Sequence, residues 1–411
     1  MRKQRLLFVV NDFPPMLGGE STLYSALARH LPQNELILLA PRQPGDAAID
    51  AELGCEVIRM RIPPHRGILA RIARSVVAAV RIAQLLLVKR VGTILCGQLL
   101  SLGAPTRVLA GIARIPYAVF VHGADLLDYD YPPWGGLSRW VLSGASTIVV
   151  NSRFTAGLVS RHIPSAAARI FILPMGVEPP APVDPEEVES LRHRYRLGGG
   201  PILVSLARLV PIKGHDTVIR ALPQLIARFP DLSYLIVGEG PERKDLEDLA
   251  RSLSVTDHVH FAGAVPQEEV PAHYRLATLY VQVSRNPDHR GGVEGYGLSF
   301  LEAASHGLPS IAGSSGGVPE AVDDGRSGVL VPPGDPAALA QSVRNLLDDP
   351  ARLASMSEGA TRHARLHTWQ RSARALMQWL DRAPGRPTAR RTSAAGARSV
   401  PGAFEEGGHR P

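Results

Sequence analysis

Residues 285–302 read Arg-Asn-Pro-Asp-His-Arg-Gly-Gly-Val-Glu-Gly-Tyr-Gly-Leu-Ser-Phe-Leu-Glu. A glycine-rich loop runs here into an apolar segment with helical spacing. Glu294 and Glu302 are separated by seven residues, with Gly295 and Gly297 between them. One carboxylate therefore lies in the loop and the other in the helix. Glycines let backbone N–H groups approach a ligand closely, and a helix N-terminus favours negative charge, so the junction suits a phosphate. A carboxylate such as Glu302 accepts hydrogen bonds from paired hydroxyls, as on ribose. Phosphate and hydroxyls together suggest a nucleotide-linked sugar. The alternative is an ordinary strand-to-helix loop with two solvated glutamates.

The surroundings place this junction in an α/β chain. Short β-branched or leucine-rich runs alternate with longer helical patterns, as in parallel sheets with helical crossovers. Strands are predicted at 6–10, 36–40, 56–60, 93–96, 117–121, 147–150 and 170–173, then at 202–206, 234–237, 258–261, 279–283, 309–311 and 328–331. Between the two sets, the prolines of 179–185 and a charged helix ending at Gly198-Gly199-Gly200 mark a boundary. The expected organisation is two Rossmann-like domains facing across a cleft, residues 1–178 and 201–365, joined by a linker at 179–200. Residues 366–382 form one more helix, with Trp369, Ala373, Leu376, Met377 and Leu380 at a spacing that must pack on something. Residues 383–411 are rich in Arg, Ala, Gly and Pro, lack apolar periodicity and read as a disordered tail.

Composition supports this layout. A chain of 411 residues exceeds one ordinary core. With 45% hydrophobic and 20% charged residues it reads as globular and cytoplasmic. Cys55 and Cys96 lie in apolar surroundings without a Cys-x-x-Cys pair, as free thiols would. No apolar run reaches the ~18 residues of a membrane span, and the first such patch reads as a strand, not a signal peptide. A formal charge of +7 favours an anionic partner. Aromatics at 5%, with no basic patch interleaving them, argue against nucleic acid.

Several strand ends carry candidate chemistry. Gly18-Gly19 follows the first strand and precedes a helix, where backbone amides can cradle a phosphate; a plain turn explains the pair equally well. His122, in Val121-His122-Gly123-Ala124-Asp125, faces the cleft from a strand end, either to bond a sugar hydroxyl or orient an acceptor, or to be satisfied by local backbone. Asn151-Ser152-Arg153 follows the next strand and suits a helix cap. Asp128-Tyr129-Asp130 has the form of a metal-holding pair but sits among Tyr131, Pro132, Pro133 and Trp134 instead of at a strand end, so no metal is expected. Arg208 and Lys213, five residues apart after the first strand of the second set, pair a rigid fork with a compact charge, as a diphosphate leaving group requires. Gly238 and the Gly263–Val265 turn close two further strands, with backbone to read a base edge or merely to turn.

In this order, Gly18-Gly19, His122-Gly123, Arg208 with Lys213-Gly214, Val237-Gly238-Glu239-Gly240, the Glu294/Glu302 pair and Gly313-Ser314-Ser315-Gly316-Gly317-Val318-Pro319-Glu320 resemble the retaining glycosyltransferases of family 4, which have the GT-B fold. The resemblance runs from about Leu6 to Leu380. It implies Arg208 and Lys213 on the diphosphate, Gly19 on the same phosphates from the facing domain, and the amides around Gly297 and Leu298 completing that contact. It also implies Glu294 on the transferred sugar, Glu302 on the ribose, His122 near sugar and acceptor, and the 366–382 helix returning to an acceptor-binding first domain. The segments Asn11–Gly19, Arg208–Gly214 and Arg290–Gly295 look most like the phosphatidylinositol mannosyltransferases that use GDP-mannose. That likeness implies a hexose, with mannose favoured, moved without a required cofactor to a lipid-linked or glycan acceptor. A UDP-sugar enzyme of exopolysaccharide, lipopolysaccharide or small-glycoside synthesis is the alternative. A non-catalytic sugar-nucleotide binder is another, which the complete cation and glutamate pairs disfavour.

From Leu69 to Arg90, helical spacing gathers Arg71, Arg74, Arg81 and Lys89 with Ile82 and Leu85 on one face, and Leu69, Ile72, Val76, Val80 and Leu87 on the other. One face can meet the sheet and the other anionic lipid, on the inner side of the plasma membrane; a solvated helix face explains the arginines as well. Oligomeric state leaves no mark in the sequence.

Overall fold

Strands buried on both faces read as uninterrupted apolar runs, and the chain uses them to build two all-parallel sheets. The computed structural model describes residues 4–16, 18–62, 68–127, 134–286 and 292–382. The Asp128–Asp130 pair, residues 287–291 of the opening stretch, the side chain of Arg71 and the 383–411 tail lie outside that description.

The first sheet comprises β1 (Arg5–Val9), β2 (Leu36–Pro41), β3 (Glu56–Met60), β4 (Val91–Cys96), β5 (Tyr117–Val121), β6 (Thr147–Val150) and β7 (Ile170–Ile172), in the order β3-β2-β1-β4-β5-β6-β7. The second comprises β8 (Ile202–Leu206), β9 (Ser233–Val237), β10 (Val259–Gly263), β11 (Leu279–Gln282), β12 (Ser310–Gly313) and β13 (Gly328–Val331), in the order β10-β9-β8-β11-β12-β13. Every predicted strand is present, displaced by no more than two residues at an end. In each sheet the order reverses beside the first strand, between β1 and β4 and between β8 and β11. Crevices at such switch points, outside the carboxyl ends of the strands, are where open α/β sheets bind ligands.

Alternation along the strands sorts the cores. Leu7 and Val9 of β1 face the helices Ile68–Val88, Gly103–Ala113 and Trp134–Gly144, while Leu6 and Phe8 face the opposite layer. That opposite layer is continuous with the second sheet through Met175, Leu301 and Trp369. The helix Trp369–Arg382 returns to the first domain and packs on the helix Gly19–His30. Its Ser372 hydroxyl donates to Pro174 O at 2.5 Å, and the Trp379 ring lies 5.1 Å from that of Phe171. Trp369, Ala373, Leu376 and Leu380 are buried, which accounts for the apolar spacing.

The long helix Ile68–Val88 seats the face that carries Arg74, Ala78, Ile82 and Leu85 against the sheet. Its other stripe points outward, with Leu69 78% and Leu87 87% exposed and Ile72, Val76 and Val80 also open. Val108 and Ile112 are exposed on the helix Gly103–Ala113, which packs beside the long helix, and Trp140 is exposed on the helix Trp134–Gly144, which packs on that one. Among the described residues, no helix is long and apolar enough to cross a membrane.

Candidate active site

The two switch points face each other, and glycine lets them touch. A Cβ on Gly295 would come 2.2 Å from His122 O and 2.6 Å from Asn151 Nδ2, so only glycine fits where the β11 loop meets the first domain. Gly317 N donates to Glu294 O at 2.9 Å and fixes the same loop from below. The Glu320 carboxylate crosses between domains, where its Oε1 accepts from Arg153 N at 2.7 Å and Phe154 N at 3.3 Å. It thereby satisfies two of the free amides at the start of the helix Arg153–His162, while Ser152 caps a third, Thr155 N, at 3.1 Å.

Lys213 and Glu294, 81 residues apart, are brought together at 2.5 Å, with side chains only 19% and 14% exposed. Glu294 Oε2 also accepts from Gln282 Nε2 at 3.1 Å, and Gln282 is in turn held by Tyr280 OH on its Oε1 at 2.9 Å. The carboxylate is thus charge-paired and aimed by the end of β11. Arg208 lies exposed beyond the end of β8, and its guanidinium has no ion pair or hydrogen bond with the described residues.

Glu302 occupies a separate, drier position. Burial raises its carboxyl above the usual carboxylate range, opposed by one hydrogen bond from Tyr274 OH to Oε2 at 2.9 Å. Tyr274 is itself buried and stacks on His306 at 5.3 Å. With a single donor among the described residues on its two oxygens, Glu302 keeps acceptor capacity for further hydroxyls. Gly297 starts the helix Leu298–Ser305, and the nearest atom to a Cβ built on Gly19 is Leu298 Cδ1 at 3.9 Å. The N-termini of the helices Gly19–His30 and Leu298–Ser305 therefore meet across the cleft, where the first-turn amides of a helix have no intrahelical partner. Gly238 and Gly263 have backbone reasons: a Cβ on Gly238 would meet Ala207 O at 2.1 Å, and Gly263 has a φ of +74°. Val265 packs partly buried against the core.

On the first-domain side, a cavity of about 230 Å³ opens at the ends of β1, β4 and β5, lined by Asn11, Asp12, Glu20, Gln98, His122 and Asp125 among others. Gln98 Nε2 donates to Asp12 Oδ2 at 2.9 Å and Glu20 Oε2 at 3.3 Å. Asp125 Oδ1 accepts from His122 N at 3.0 Å and Gly123 N at 2.9 Å. Burial pushes the Asp125 carboxyl up to about 6, against the pull of His122 and those two amides. The ring of His122 is held by a distant partner and not by local backbone: its Nε2 lies 2.6 Å from Tyr24 OH. Among the described residues no cluster of three or more His, Cys, Asp or Glu is placed to hold a metal.

Gln282, Tyr274, Tyr24 and the Glu320 side chain are the site's partners that sequence reading left unassigned. Gln282 had a visible signal, as the lone polar residue in the apolar run 279–283. The tyrosines read as core until the fold places their hydroxyls.

Known proteins match this geometry over both domains. The model of the glycosyl transferase 4-like domain matches residues 18–176, and that of glycosyl transferases group 1 matches residues 188–363. The GDP-mannose-dependent alpha-(1-6)-phosphatidylinositol monomannoside mannosyltransferase of Mycolicibacterium smegmatis is 37% identical over 89% of this chain and 94% of its own length. The 2-deoxystreptamine glucosyltransferase of Streptomyces kanamyceticus is 32% identical over 62% of this chain and 67% of its own. In fold, Anabaena HepE in complex with UDP superposes with a TM-score of 0.76 at 19% identity, covering 92% of this chain and 100% of that one. With the two facing Rossmann-like sheets, the returning C-terminal helix and these matches, the chain belongs to the group 1, family-4-like glycosyltransferases of GT-B fold and is a sugar-transferring enzyme.

Proposed function

We propose that this enzyme transfers mannose from GDP-mannose, with retention of configuration, to a phosphatidylinositol-mannoside-type lipid. The observation that carries this reading is that similarity to a GDP-mannose-dependent mannosyltransferase spans both domains, the donor half and the acceptor half alike.

Transfer from a nucleoside diphosphate sugar requires a stabilised departing diphosphate. Arg208, Lys213 and the amides at Gly19, Gly297 and Leu298 supply preorganised positive potential there without reorganisation during the reaction. Lys213, paired with Glu294 in the free protein, then bridges the phosphates and that carboxylate, and Glu294 orients the sugar through its hydroxyls. Glu302 takes the ribose diol. Gly238, Gly263 and Val265 shape the base end. His122 contacts the sugar or the attacking hydroxyl, whose proton passes to the leaving phosphate on the same face.

The outward apolar stripe of the helix Ile68–Val88, with Val108, Ile112 and Trp140, fits insertion at a bilayer surface. The helices Ile68–Val88, Gly103–Ala113 and Trp134–Gly144 contain arginine and no acidic residue, which suits anionic headgroups. A lipid-linked acceptor would then enter beside the cavity at the end of β1. The test is product formation from purified protein, GDP-mannose and vesicles containing a phosphatidylinositol mannoside. Transfer from UDP-glucose to a soluble acceptor instead would favour the small-glycoside reading, and donor binding without any transfer the non-catalytic one.

A further inference from the structure

Tyr24 occupies the interior of the first domain, packed edge-on against Phe8 and Phe120 at ring separations of 5.5 and 5.7 Å. Its hydroxyl touches two groups, the carbonyl of Gly97 at the end of β4 and Nε2 of His122 at the end of β5. A carbonyl oxygen only accepts, so the one hydroxyl proton of Tyr24 goes to Gly97 O. Ionisation offers no escape, because burial, reinforced by the Glu20, Asp12 and Asp125 charges, holds the phenol well above its usual range. Toward His122 the Tyr24 oxygen can then only accept. The proton between them sits on Nε2.

We infer that Tyr24 is a positioning residue that locks His122 as the Nε2–H tautomer, leaving Nδ1 as a hydrogen-bond acceptor for a substrate hydroxyl. This rests on the reading of His122 as the sugar- or acceptor-contacting residue. Among the described residues Nδ1 has no protein partner, and His122 lines the cavity at the strand ends. Stacking of the His122 ring on Phe120, at 6.5 Å and 21°, fixes its plane, so the tautomer and the direction of the lone pair are set together. In its neutral form the ring so held accepts from a hydroxyl through Nδ1, and its one N–H is already committed to Tyr24, leaving none for a phosphate. It therefore belongs on the sugar or the acceptor alcohol and not on the leaving group. Neither residue signals this in sequence, since they lie 98 positions apart and Tyr24 reads as an apolar helix face.

The test separates positioning from catalysis. Two-bond ¹H–¹⁵N spectra of ¹⁵N-histidine-labelled protein, with His122 assigned through His122→Gln, should give the Nε2–H pattern near neutral pH and an Nε2 proton protected from solvent exchange. Tyr24→Phe keeps the ring packing and removes only the hydroxyl, so that protection should vanish. In the same variant kcat should fall about tenfold, with the KM for GDP-mannose changed less than about twofold. An Nδ1–H pattern in the wild type, or an unchanged exchange rate in Tyr24→Phe, overturns the positioning role whatever the activity. Loss of the protected proton with kcat unchanged would keep the tautomer lock but remove His122 from the transfer step, a failure of the site reading instead.

Discussion

Lys213 and Glu294 form one unit, and their variants should behave as one. Lys213→Ala leaves a largely buried carboxylate without its cation, at a stability cost of about 1–3 kcal/mol, while transfer falls roughly hundredfold or more. Removing both groups, in Lys213→Ala with Glu294→Ala, should recover most of that stability and none of the activity. Denaturant titration beside initial rates reads the two effects separately, and parallel loss of both would mean the pair is structural only. Asp125 gives a pH signature. Its carboxyl is raised to about 6 in the folded state, so the folded protein holds more protons than the unfolded chain between the ordinary carboxylate pKa of about 4 and that value. The Asp125 contribution is therefore most favourable below about pH 4 and is lost as pH rises through about 6. Asp125→Asn should gain stability relative to wild type over that window and run parallel to it above. A constant difference between the two titrations would contradict the buried ionised carboxylate. Lys213 and Glu294 were legible as candidates because each follows a strand. Their contact was not, because it needs the β8 and β11 loops brought side by side.

At the scale of elements, the strands were legible almost to the residue because the central strands are covered on both faces, so their runs are largely apolar. The long helix Ile68–Val88 was harder. Apolar residues occur on both of its sides, and periodicity alone does not say which stripe meets a sheet. The structure buries the side with Arg74, Ile82 and Leu85, because Arg74 reaches the polar cavity at the strand ends while Ile82 and Leu85 reach the core. With the outward stripe, the proposed membrane contact is predicted to be partly hydrophobic and not only electrostatic. Binding to vesicles rich in anionic lipid should weaken with salt but persist at high ionic strength. Replacing Ile72 and Val76 by Glu should reduce sedimentation with vesicles at least about tenfold while leaving the melting temperature unchanged, because both side chains are already exposed. Complete loss of wild-type binding in high salt would assign the contact to the arginines alone.

Across the whole molecule, the division into two sheets followed from the restart of the strand pattern after the proline-rich 179–185 segment, and the cleft followed from the sheets. What joins the halves was only partly visible. The returning helix announced itself by its apolar spacing, but the Glu320 bonds to Arg153 and Phe154 and the seating of Gly295 on His122 O depend on distances between domains that no local pattern encodes. Those contacts place the Lys213–Glu294 pair and the two helix N-termini on one cleft with His122 on its far wall, the arrangement expected for in-place transfer between a bound donor and an acceptor held by the first domain. The most direct test supplies purified protein with GDP-mannose, and separately with UDP-glucose, in the presence of phosphatidylinositol monomannoside vesicles, and identifies the lipid product by mass spectrometry and its anomeric configuration by NMR. The account predicts an α-linked mannosyl lipid from GDP-mannose, reduced about hundredfold or more when Lys213 is Ala. An inverted linkage, product from UDP-glucose alone, or undiminished product from the Lys213→Ala variant would contradict it.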